Sequence, residues 1–398
     1  MECKTISSGL DVGKNRCIKI IHIFALMFKA YKYRIFPTDA QKDQLQRYFG
    51  VNRLVYNLGL ETKTVVYASN KKSLSKYDLI KQLPELRKEF DYIKECPSQV
   101  LEHSIINLDT AYQNFFKGRG RFPKFKNKFS KQSIRFPQGF KVLFKDNVLK
   151  LPKLKEVAID YHREFKGLPK RVTLTKTVTG KYFVSILVDT QTEKLKQKPI
   201  KTVTSVGIDF GIKDLAITSD GVVYENKNFF KSQQRRLRVE QRSLARKQKG
   251  SANREKQKLV VALLHEKIRN QRTDYLHKIS TELVNTYDTI ILEDLAVSSM
   301  VKNHNLAKAI SDMGWRQLRT MLEYKTDWQG KNLVVIGRFQ PSSKICSNCG
   351  NHKKDLKLSD RTYNCDKCGN SMDRDYNAAL NIKNFGLRDK PLYANVSH

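Results

Sequence analysis

The sequence is short of acidic residues and contains no long apolar run. Of its 398 residues, 39 are Asp or Glu and 75 are Lys or Arg, which gives a formal net charge of +36. The excess is spread over the whole length, and a field of this sign attracts polyanions, of which nucleic acid is the most abundant. No apolar run reaches the ~20 residues that a membrane-spanning helix needs. We therefore expect a cytoplasmic, nucleoid-associated protein that binds nucleic acid and no membrane.

A secretory signal is not indicated either. Residues 18–28 follow basic residues and are apolar, but the run is short, Lys19 and His22 interrupt it, and no small-residue cleavage site follows. Two interpretations of the start remain open. Residues 1–26 are a translated extension, or Met27 is the true initiator.

The chain is long enough for two or three domains. Hydrophobic periodicity predicts a strand at 29–36, then helices at about 41–60, 74–90 and 97–116. Short strands between 134 and 188 suggest a small β-barrel that the first strand joins, with the helices as an insert. After a polar linker at 191–201, three strands, a helix, a strand, a helix, a strand and a helix follow, which is the element order of the ribonuclease-H-like fold.

Three acidic residues stand at the ends of predicted elements in the C-terminal half. Asp209 follows an apolar strand, Glu293 ends the run 289–293, and Asp375 opens the last helix. Taken singly, each is more often a cap or a turn residue. Together, in a very basic chain, they fit a two-metal site in which two Mg²⁺ ions about 4 Å apart cleave a phosphodiester.

Two of these assignments have a competing neighbour. Asp294 points to the opposite face of its strand from Glu293, and we prefer Glu293 because Asp294 lies nearer the loop. Asp373 and Asp375 both precede the last helix, where one could cap the helix and the other bind metal. The sequence pattern alone does not decide between these two.

Four cysteines form two CxxC pairs, each followed by Gly, at positions 346, 349, 365 and 368. This spacing predicts a structural zinc site in which Cys346, Cys349, Cys365 and Cys368 are the four ligands. Two reducible disulfides or an iron–sulfur site are the alternatives.

Two basic stretches are candidates for contact with nucleic acid. In the loop 118–126, basic residues alternate with aromatic ones, and we select Arg121, Lys124 and Lys126. The long helical region 232–286 begins with a run of arginines. From it we select Arg235, Arg236, Arg242, Arg246 and Lys247, although such a run is often only a solvated helix face.

Several blocks resemble the TnpB/OrfB family of insertion-sequence proteins, which is related to type V CRISPR effectors. They cover nearly the whole chain from Met27: residues 28–37, 207–216 (GIDFGIKDLA), 270–277, 292–295, the two CxxC pairs, and 368–379 (CGNSMDRDYNAA). The last block, combined with the cysteines, is highly specific. The resemblance also favours Met27 as the initiator.

The resemblance implies a multidomain α+β protein with the following division. A wedge β-barrel comprises 27–40 and 118–200, a helical recognition insert 41–117, a RuvC-like nuclease domain 203–340 and 372–390, a zinc ribbon 341–371, and a tail 391–398. It also implies a guide RNA from the element's own transcript and cleavage of matching DNA, double- or single-stranded, beside a short element-derived motif. The family's catalytic acids fall on Asp209, Glu293 and Asp375, with Mg²⁺ as the catalytic metal and Zn²⁺ in the ribbon.

Two other functions remain as alternatives. The same acids would serve a transposase-like strand-transfer enzyme or its accessory. A non-catalytic, zinc-dependent regulator that binds nucleic acid would be favoured by the loss of one acid, and all three are present.

Overall fold

A computed structural model describes residues 26–304, 306–357 and 359–388. The N-terminal extension, apart from Leu26, and the tail at 391–398 lie outside these residues. No helix within the described ranges is long and apolar enough to cross a bilayer.

The N-terminal half consists of one sheet and a group of helices. Its elements are β1 (Leu26–Phe36), α1 (Asp39–Asn70), α2 (Lys76–Ile80), α3 (Leu83–Glu89), α4 (Asp91–Lys94), α5 (Ser98–Phe116), β2 (Gln132–Phe136), β3 (Lys141–Leu143), β4 (Val148–Leu151), β5 (Lys155–Asp160), β6 (Leu168–Lys176) and β7 (Tyr182–Glu193). The strands form a seven-stranded sheet in the order β2-β6-β7-β1-β5-β4-β3. The strand at 29–36 does join the later strands, as the alternation predicted.

The predicted barrel is not closed. β2 and β3 are the two edges of the sheet, and no pairing joins them among the described residues. Closure requires every edge to be paired with a consistent stagger, and β3 has three residues while β2 has five. Helices cover this part of the sheet instead, because Phe136 and Leu174 share one hydrophobic core with Phe49 and Leu101 of α1 and α5.

Helix α1 begins where the sequence predicts and runs further. Thr38 and Gln41 form a reciprocal capping box at its start. The helix ends at Asn70, ten residues beyond the prediction, and Lys71 adopts a left-handed conformation with φ of 54° as its C-cap. The pattern at 74–90 becomes two short helices, α2 and α3.

The C-terminal half contains a five-stranded sheet flanked by helices and a two-stranded ribbon. Its elements are β8 (Ser205–Asp209), β9 (Asp214–Thr218), β10 (Val223–Glu225), α6 (Phe229–Arg246), α7 (Ala252–Thr286), β11 (Thr289–Glu293), α8 (Val297–Met300), α9 (Ala307–Met313), α10 (Trp315–Trp328), β12 (Asn332–Ile336), β13 (Thr362–Asn364), β14 (Ser371–Asp373) and α11 (Arg374–Arg388). The large sheet has the order β10-β9-β8-β11-β12, in which β11 runs parallel to both β8 and β12. The whole is a mixed α/β multidomain fold.

Two glycines separate consecutive helices of the C-terminal half, and a third does not end a helix. Gly250, with φ of +88°, separates α6 from α7, and Arg254 locks the turn by donating to the carbonyls of Leu244 and Lys247 at 2.7 and 2.8 Å. Gly314, with φ of +70°, separates α9 from α10. Gly386 does not end α11, which continues through it to Arg388.

Candidate active site and metal centre

Two of the predicted acids end neighbouring parallel strands. β8 pairs with β11 so that Ile208 is opposite Leu292, which puts Asp209 opposite Glu293 one residue further along. Parallel strands in a sheet lie about 4.8 Å apart, and residues in register point to the same face. Asp209 and Glu293 are therefore neighbours at the carboxyl edge of the sheet.

The face to which they point is the one covered by α11. Ile291 packs with Ile382 and Phe385 of α11, whereas Leu292 packs in a different core with α7 and α10. Side chains alternate along a strand, so Glu293 lies on the same face as Ile291, and Asp294 lies on the face of Leu292.

Close backbone contact fixes α11 on this face. A Cβ on Gly207 would lie 2.3 Å from the carbonyl oxygen of Ala379, and a Cβ on Gly386 would lie 2.4 Å from a methyl carbon of Ile291. Only glycine permits these approaches. Asp375 lies one turn before Ala379 on α11, which brings it beside Asp209.

The structure separates the roles of Asp373 and Asp375. The carboxylate of Asp373 accepts hydrogen bonds from the backbone N–H groups of Asp375 and Tyr376, at 2.9 and 3.0 Å, and so caps α11. The carboxylate of Asp375 is turned toward cations, with Arg374 at 2.9 Å and Arg361 at 3.9 Å. This division supports Asp375 as the metal-binding member of the pair.

Burial raises the pKa of two of the three acids, Asp209 and Glu293. Burial raises the pKa of Asp209 to about 7, and the charges of Asp375 and Glu293 add to the effect. Burial also raises the pKa of Glu293. A bound cation would relieve both effects, because it compensates the negative charge that burial leaves unscreened.

Asp294 is already engaged elsewhere. Its two oxygens accept from Arg319 and Arg338, each at 2.8 Å. The hydrogen bond from Arg319, followed by that from Arg338, holds the pKa of Asp294 below its usual value. This pairing supports Glu293 over Asp294 as the acid of the site.

The donor set of the three acids fits Mg²⁺, which prefers carboxylate oxygens and keeps several waters. Among the described residues, the carboxylate oxygens of these three acids do not all lie within 4.8 Å of one another. Carboxylates repel one another when no cation lies between them. Asp375 forms an ion pair with Arg374.

The four cysteines do form such a group, with all sulfur atoms within 4.8 Å of one another. The sulfur atoms of Cys346 and Cys368 are 3.7 Å apart, and those of Cys349 and Cys365 are 3.5 Å apart. Sulfurs bound tetrahedrally at the ~2.3 Å of a zinc–thiolate bond would be about 3.8 Å apart. The residues present therefore fit zinc, and their separations exclude a formed disulfide.

The two CxxC turns are built alike. Gly350 donates to the carbonyl of Cys346 and Gly369 to that of Cys365, at 2.9 and 3.0 Å, and both glycines have positive φ. The backbone N–H of Cys368, with that of Lys367, lowers the pKa of Cys365 to about 6. The metal-binding thiolate is thereby favoured.

Asparagines of α11 connect this cluster to the acids. Asn377 and Asn381 donate to the carbonyl of Ile345 at 2.7 and 2.6 Å, and Asn381 also donates to the carbonyl of Ser342. Both asparagines are buried. The helix that carries Asp375 is thus tied to the root of the ribbon.

The basic residues selected from the sequence lie on two separate elements. Arg121 and Lys124 are exposed on the loop after α5, while Lys126 is half-buried with its ammonium 3.5 Å from the centre of the Tyr56 ring. Most of the others lie on α6, whose one buried residue is Leu237. Arg235, Arg236, Arg242 and Arg246 are exposed and form no ion pair within the described residues, and Lys247 is the C-cap.

The structure contains a cavity of about 380 Å³ beside Glu293 that the sequence did not predict. Phe210 and Trp315 line it, together with Arg316, Arg319 and Arg338. In the sequence Trp315 reads only as a core residue, and the arginines are scattered over two elements. No periodicity or spacing in the sequence predicts that these side chains line one cavity.

The solved structure of Cas12f1 in its complex with sgRNA and target DNA has a similar fold. The TM-score is 0.58 at 12% identity, and the match covers 90% of this chain and 99% of that one. The chain therefore has a multidomain α/β fold that resembles that of Cas12f1.

Three family models match parts of the sequence. One described as a probable transposase matches residues 185–304, one described as a Cas12f1-like TNB domain matches 315–382, and one described as a helix-turn-helix domain matches 27–72. In the structure the last segment contains most of β1 and the whole of α1, a single helix of 32 residues.

Relatives of similar length settle the family. A "Putative RNA-guided DNA endonuclease" of Streptomyces pristinaespiralis is 40% identical over 90% of this chain and 89% of its own length. InsQ of Escherichia coli K12, with the same description, is 34% identical over 89% and 91%. A "TnpB-like protein" of Acanthamoeba polyphaga mimivirus is 28% identical over 91% and 74%. The chain belongs to the TnpB/OrfB family, and the resemblance inferred from its motifs is confirmed.

Proposed function

We propose that this protein is an RNA-guided, Mg²⁺-dependent DNA endonuclease of a transposable element, with Asp209, Glu293 and Asp375 as its catalytic acids. The relatives' descriptions and the Cas12f1-like fold support guided DNA cleavage. The observation that supports the site assignment is that the three acids, on β8, β11 and α11, lie at the same face of the sheet.

The chain's own residues account for how the site is held. Asp209 and Glu293 are set by strand register, and Asp375 is set by the close contact of α11 with Gly207. When bound, Mg²⁺ would activate water for attack on phosphorus and stabilise the departing 3′ oxygen. Arg374 and Arg361 pair with Asp375 and compensate its charge in the free protein, and so preserve the site between reactions.

The basic surfaces of α6 and of the loop after α5 supply contacts with guide RNA and DNA. Unpaired arginines on an exposed helix face bind phosphates and release counter-ions. Arg121 and Lys124 lie beside the exposed rings of Phe122 and Phe125, which are 47% and 61% exposed and can stack on unpaired bases. Lys126 and Lys247 complete these two surfaces.

We assign the structural units accordingly. The open sheet of residues 27–40 and 118–200 is the wedge, and the helices of 41–117 form the recognition insert. Residues 203–340 and 372–390 form the RuvC-like nuclease unit, and 341–371 form the zinc ribbon. The strand order of the five-stranded sheet, with its first three strands antiparallel and two more parallel to the first, supports the ribonuclease-H-like assignment.

The test begins with the RNA that the protein carries. The protein is purified from cells that express it with its own flanking DNA, the bound RNA is sequenced, and cleavage of DNA matching that RNA is measured with and without Mg²⁺. Wild-type protein is expected to cut only the matching DNA and only with the metal, and Asp209→Asn is expected not to cut.

Asp214→Asn is the matched control. Asp214 begins β9, the strand that pairs with β8, and its one ion pair among the described residues is a weak one with Lys213, at 3.7 Å. It should cut like the wild type. Equal cutting by wild type and Asp209→Asn would refute the site, cutting without RNA would refute the guided mechanism, and joining of DNA strands would indicate a strand-transfer enzyme.

A further inference from the structure

Asn377 is a fully buried amide two positions after Asp375 on α11. Its exposed fraction is 0%, and the helix that carries it begins three residues earlier, at Arg374. Burying an amide is costly unless its N–H and C=O groups both find partners. The partners of Asn377 therefore decide what this residue contributes to the site.

The amide of Asn377 binds the chain on both sides of a cysteine. Its Nδ2 donates to the carbonyl of Ile345 at 2.7 Å, and its Oδ1 accepts from the backbone N–H of Ser347 at 2.9 Å. Cys346 lies between these two residues and is 1% exposed. Because donor and acceptor are both used, the amide fixes the orientation of α11 relative to the cysteine turn as well as its distance.

The first turn of α11, which carries Asp375, is held by other contacts than the turns that follow it. From Ala379 onward the helix lies against the sheet, where a Cβ on Gly207 or Gly386 would meet other atoms at 2.3 or 2.4 Å. Hydrogen bonds to the ribbon, including the two made by Asn377, hold the residues before Ala379. The position of Asp375 therefore depends on the ribbon more than that of the later turns does.

Asn381 makes a comparable contact one turn further along. Its Nδ2 donates to the carbonyls of Ser342 and Ile345 at 2.7 and 2.6 Å, and the residue is 3% exposed. It lies in the part of α11 that the sheet already holds. Loss of its amide would remove two hydrogen bonds without releasing the first turn.

We propose that Asn377 is a positioning residue of the carboxylate site, which holds the first turn of α11 so that Asp375 meets Asp209. The inference rests on the proposed function, because it takes these acids as ligands of the divalent cation. Such a site needs its ligands held within about 0.5 Å of the productive geometry. Carboxylates that converge also repel one another, so a helix that carries one of them must be anchored against that repulsion.

Binding of a divalent cation can be measured without guide RNA, DNA or cleavage. The probe is Mn²⁺, which takes the same oxygen ligands as Mg²⁺ and whose free ion is quantified by electron paramagnetic resonance. Full-length, zinc-loaded wild type and variants are titrated with Mn²⁺. Zinc content and urea unfolding are measured on the same preparations.

Asn377→Ala should bind Mn²⁺ about tenfold more weakly than wild type, the scale seen when residues that support metal ligands are changed, and should keep its zinc. Asn377→Gln is tested beside it. It keeps a polar amide but lengthens the side chain by one methylene, so it displaces the turn and should weaken Mn²⁺ binding as well. Either variant decides the question if the other does not fold.

Asn381→Ala is the matched control for stability. It should lower the urea midpoint about as far as Asn377→Ala does, because each change removes two hydrogen bonds, and it should keep the Mn²⁺ affinity of the wild type. Asn384→Ala is the control for a surface change on the same helix, since Asn384 is exposed. It should alter neither quantity.

Two results would overturn the proposal. One is a folded Asn377 variant that binds Mn²⁺ as tightly as the wild type. The other is an equal loss of Mn²⁺ affinity in Asn377→Ala and Asn381→Ala, which would mean that both asparagines only stabilise the fold.

Asp209→Asn separates this inference from the proposed function. If it binds Mn²⁺ like the wild type, the cation is not held by the acids, and the proposed site fails together with the inference. If the Mn²⁺ results are as expected but no guided cleavage occurs, the proposed function fails and the role of Asn377 stands. If guided cleavage occurs and Asn377→Ala keeps its Mn²⁺ affinity, only the present inference fails.

Discussion

The two candidate metal sites of this protein are assembled in opposite ways. The cysteine site takes its ligands from two short turns, each closed by its own backbone hydrogen bonds, and its four sulfur atoms already lie within 4.8 Å of one another. The carboxylate site takes one ligand from each of three elements, spans residues 209 to 375, and has its acids apart and partly neutralised by arginines. Local turns can prepare soft ligands in advance, whereas converging acids repel until a cation compensates them.

The largest expected effect comes from the carboxylates. Glu293→Gln should lower the rate of guided cleavage by on the order of ten-thousand-fold, as removal of a central catalytic group does in other enzymes, with little change in folding. Asp294→Asn is the adjacent control and should retain most of the activity, because Asp294 is bound by Arg319 and Arg338. Rates are measured in single-turnover assays. A greater loss in Asp294→Asn than in Glu293→Gln would reverse the assignment.

The next effect separates the cysteine site from the acids. Cys365→Ser should reduce bound zinc from about one equivalent to almost none, because a four-thiolate structural site loses its closed shell. Cys96→Ala is the control, since Cys96 is a buried cysteine in the helical core. Zinc is quantified by elemental analysis. Asp209→Asn should keep its zinc, and a loss of zinc there would show that the two sites are not independent.

A smaller effect tests how the acids are brought together. Gly207→Ala should lower the free energy of unfolding by about 1–3 kcal/mol, the usual cost of overpacking, because the new methyl group meets the backbone of α11. Gly337→Ala is the control, with no atom within 4 Å of its Cβ position. Urea unfolding measures both. Equal stabilities would show that α11 is not fixed by this contact.

The smallest effect is on pH dependence. The pKa of Asp209 is raised from its ordinary value of 3.8 to about 7 in the folded protein, so between these pH values the folded state binds a proton that the unfolded state has lost. In metal-free protein its contribution to stability is therefore complete below about pH 4 and is lost as the pH rises through 7, at up to roughly 1.4 kcal/mol per pH unit.

Urea unfolding from pH 4 to 8, without divalent cations, compares wild type with Asp209→Asn. The wild type should lose stability relative to the variant across this interval. A constant difference in the free energy of unfolding would show that Asp209 is not buried among the other acids. The carboxylate site would then differ less from the cysteine site.

The local elements were more predictable than their assembly. The strands at 214–218, 289–293 and 332–336 coincide with short apolar runs of the sequence. β5 has no such run, because the alternating Val157 and Ile159 are surrounded by charged residues. The open sheet could not be predicted, since closure depends on whether distant edges meet and not on any one strand.

The site shows the same division. Spacing alone identified the four cysteines, because their ligand geometry is local. The preference for Asp375 over Asp373 rested on the family resemblance, and the hydrogen bonds of the helix cap give it a physical reason. The preference for Glu293 over Asp294 was made from the strand pattern, and the two arginines that bind Asp294 support it. The cavity that includes Trp315 depends on residues from four segments, and no sequence pattern connects them.

The contact between Gly207 and α11 has a consequence for how lineages of this family lose activity. Any substitution at this glycine adds at least a methyl group where backbone atoms already stand 2.3 Å away, so one change there displaces the helix that carries Asp375. A descendant could therefore be inactive while every acid remains in its sequence. Surveys that classify copies as intact by their acids alone would count such a copy as active, and should inspect Gly207 as well.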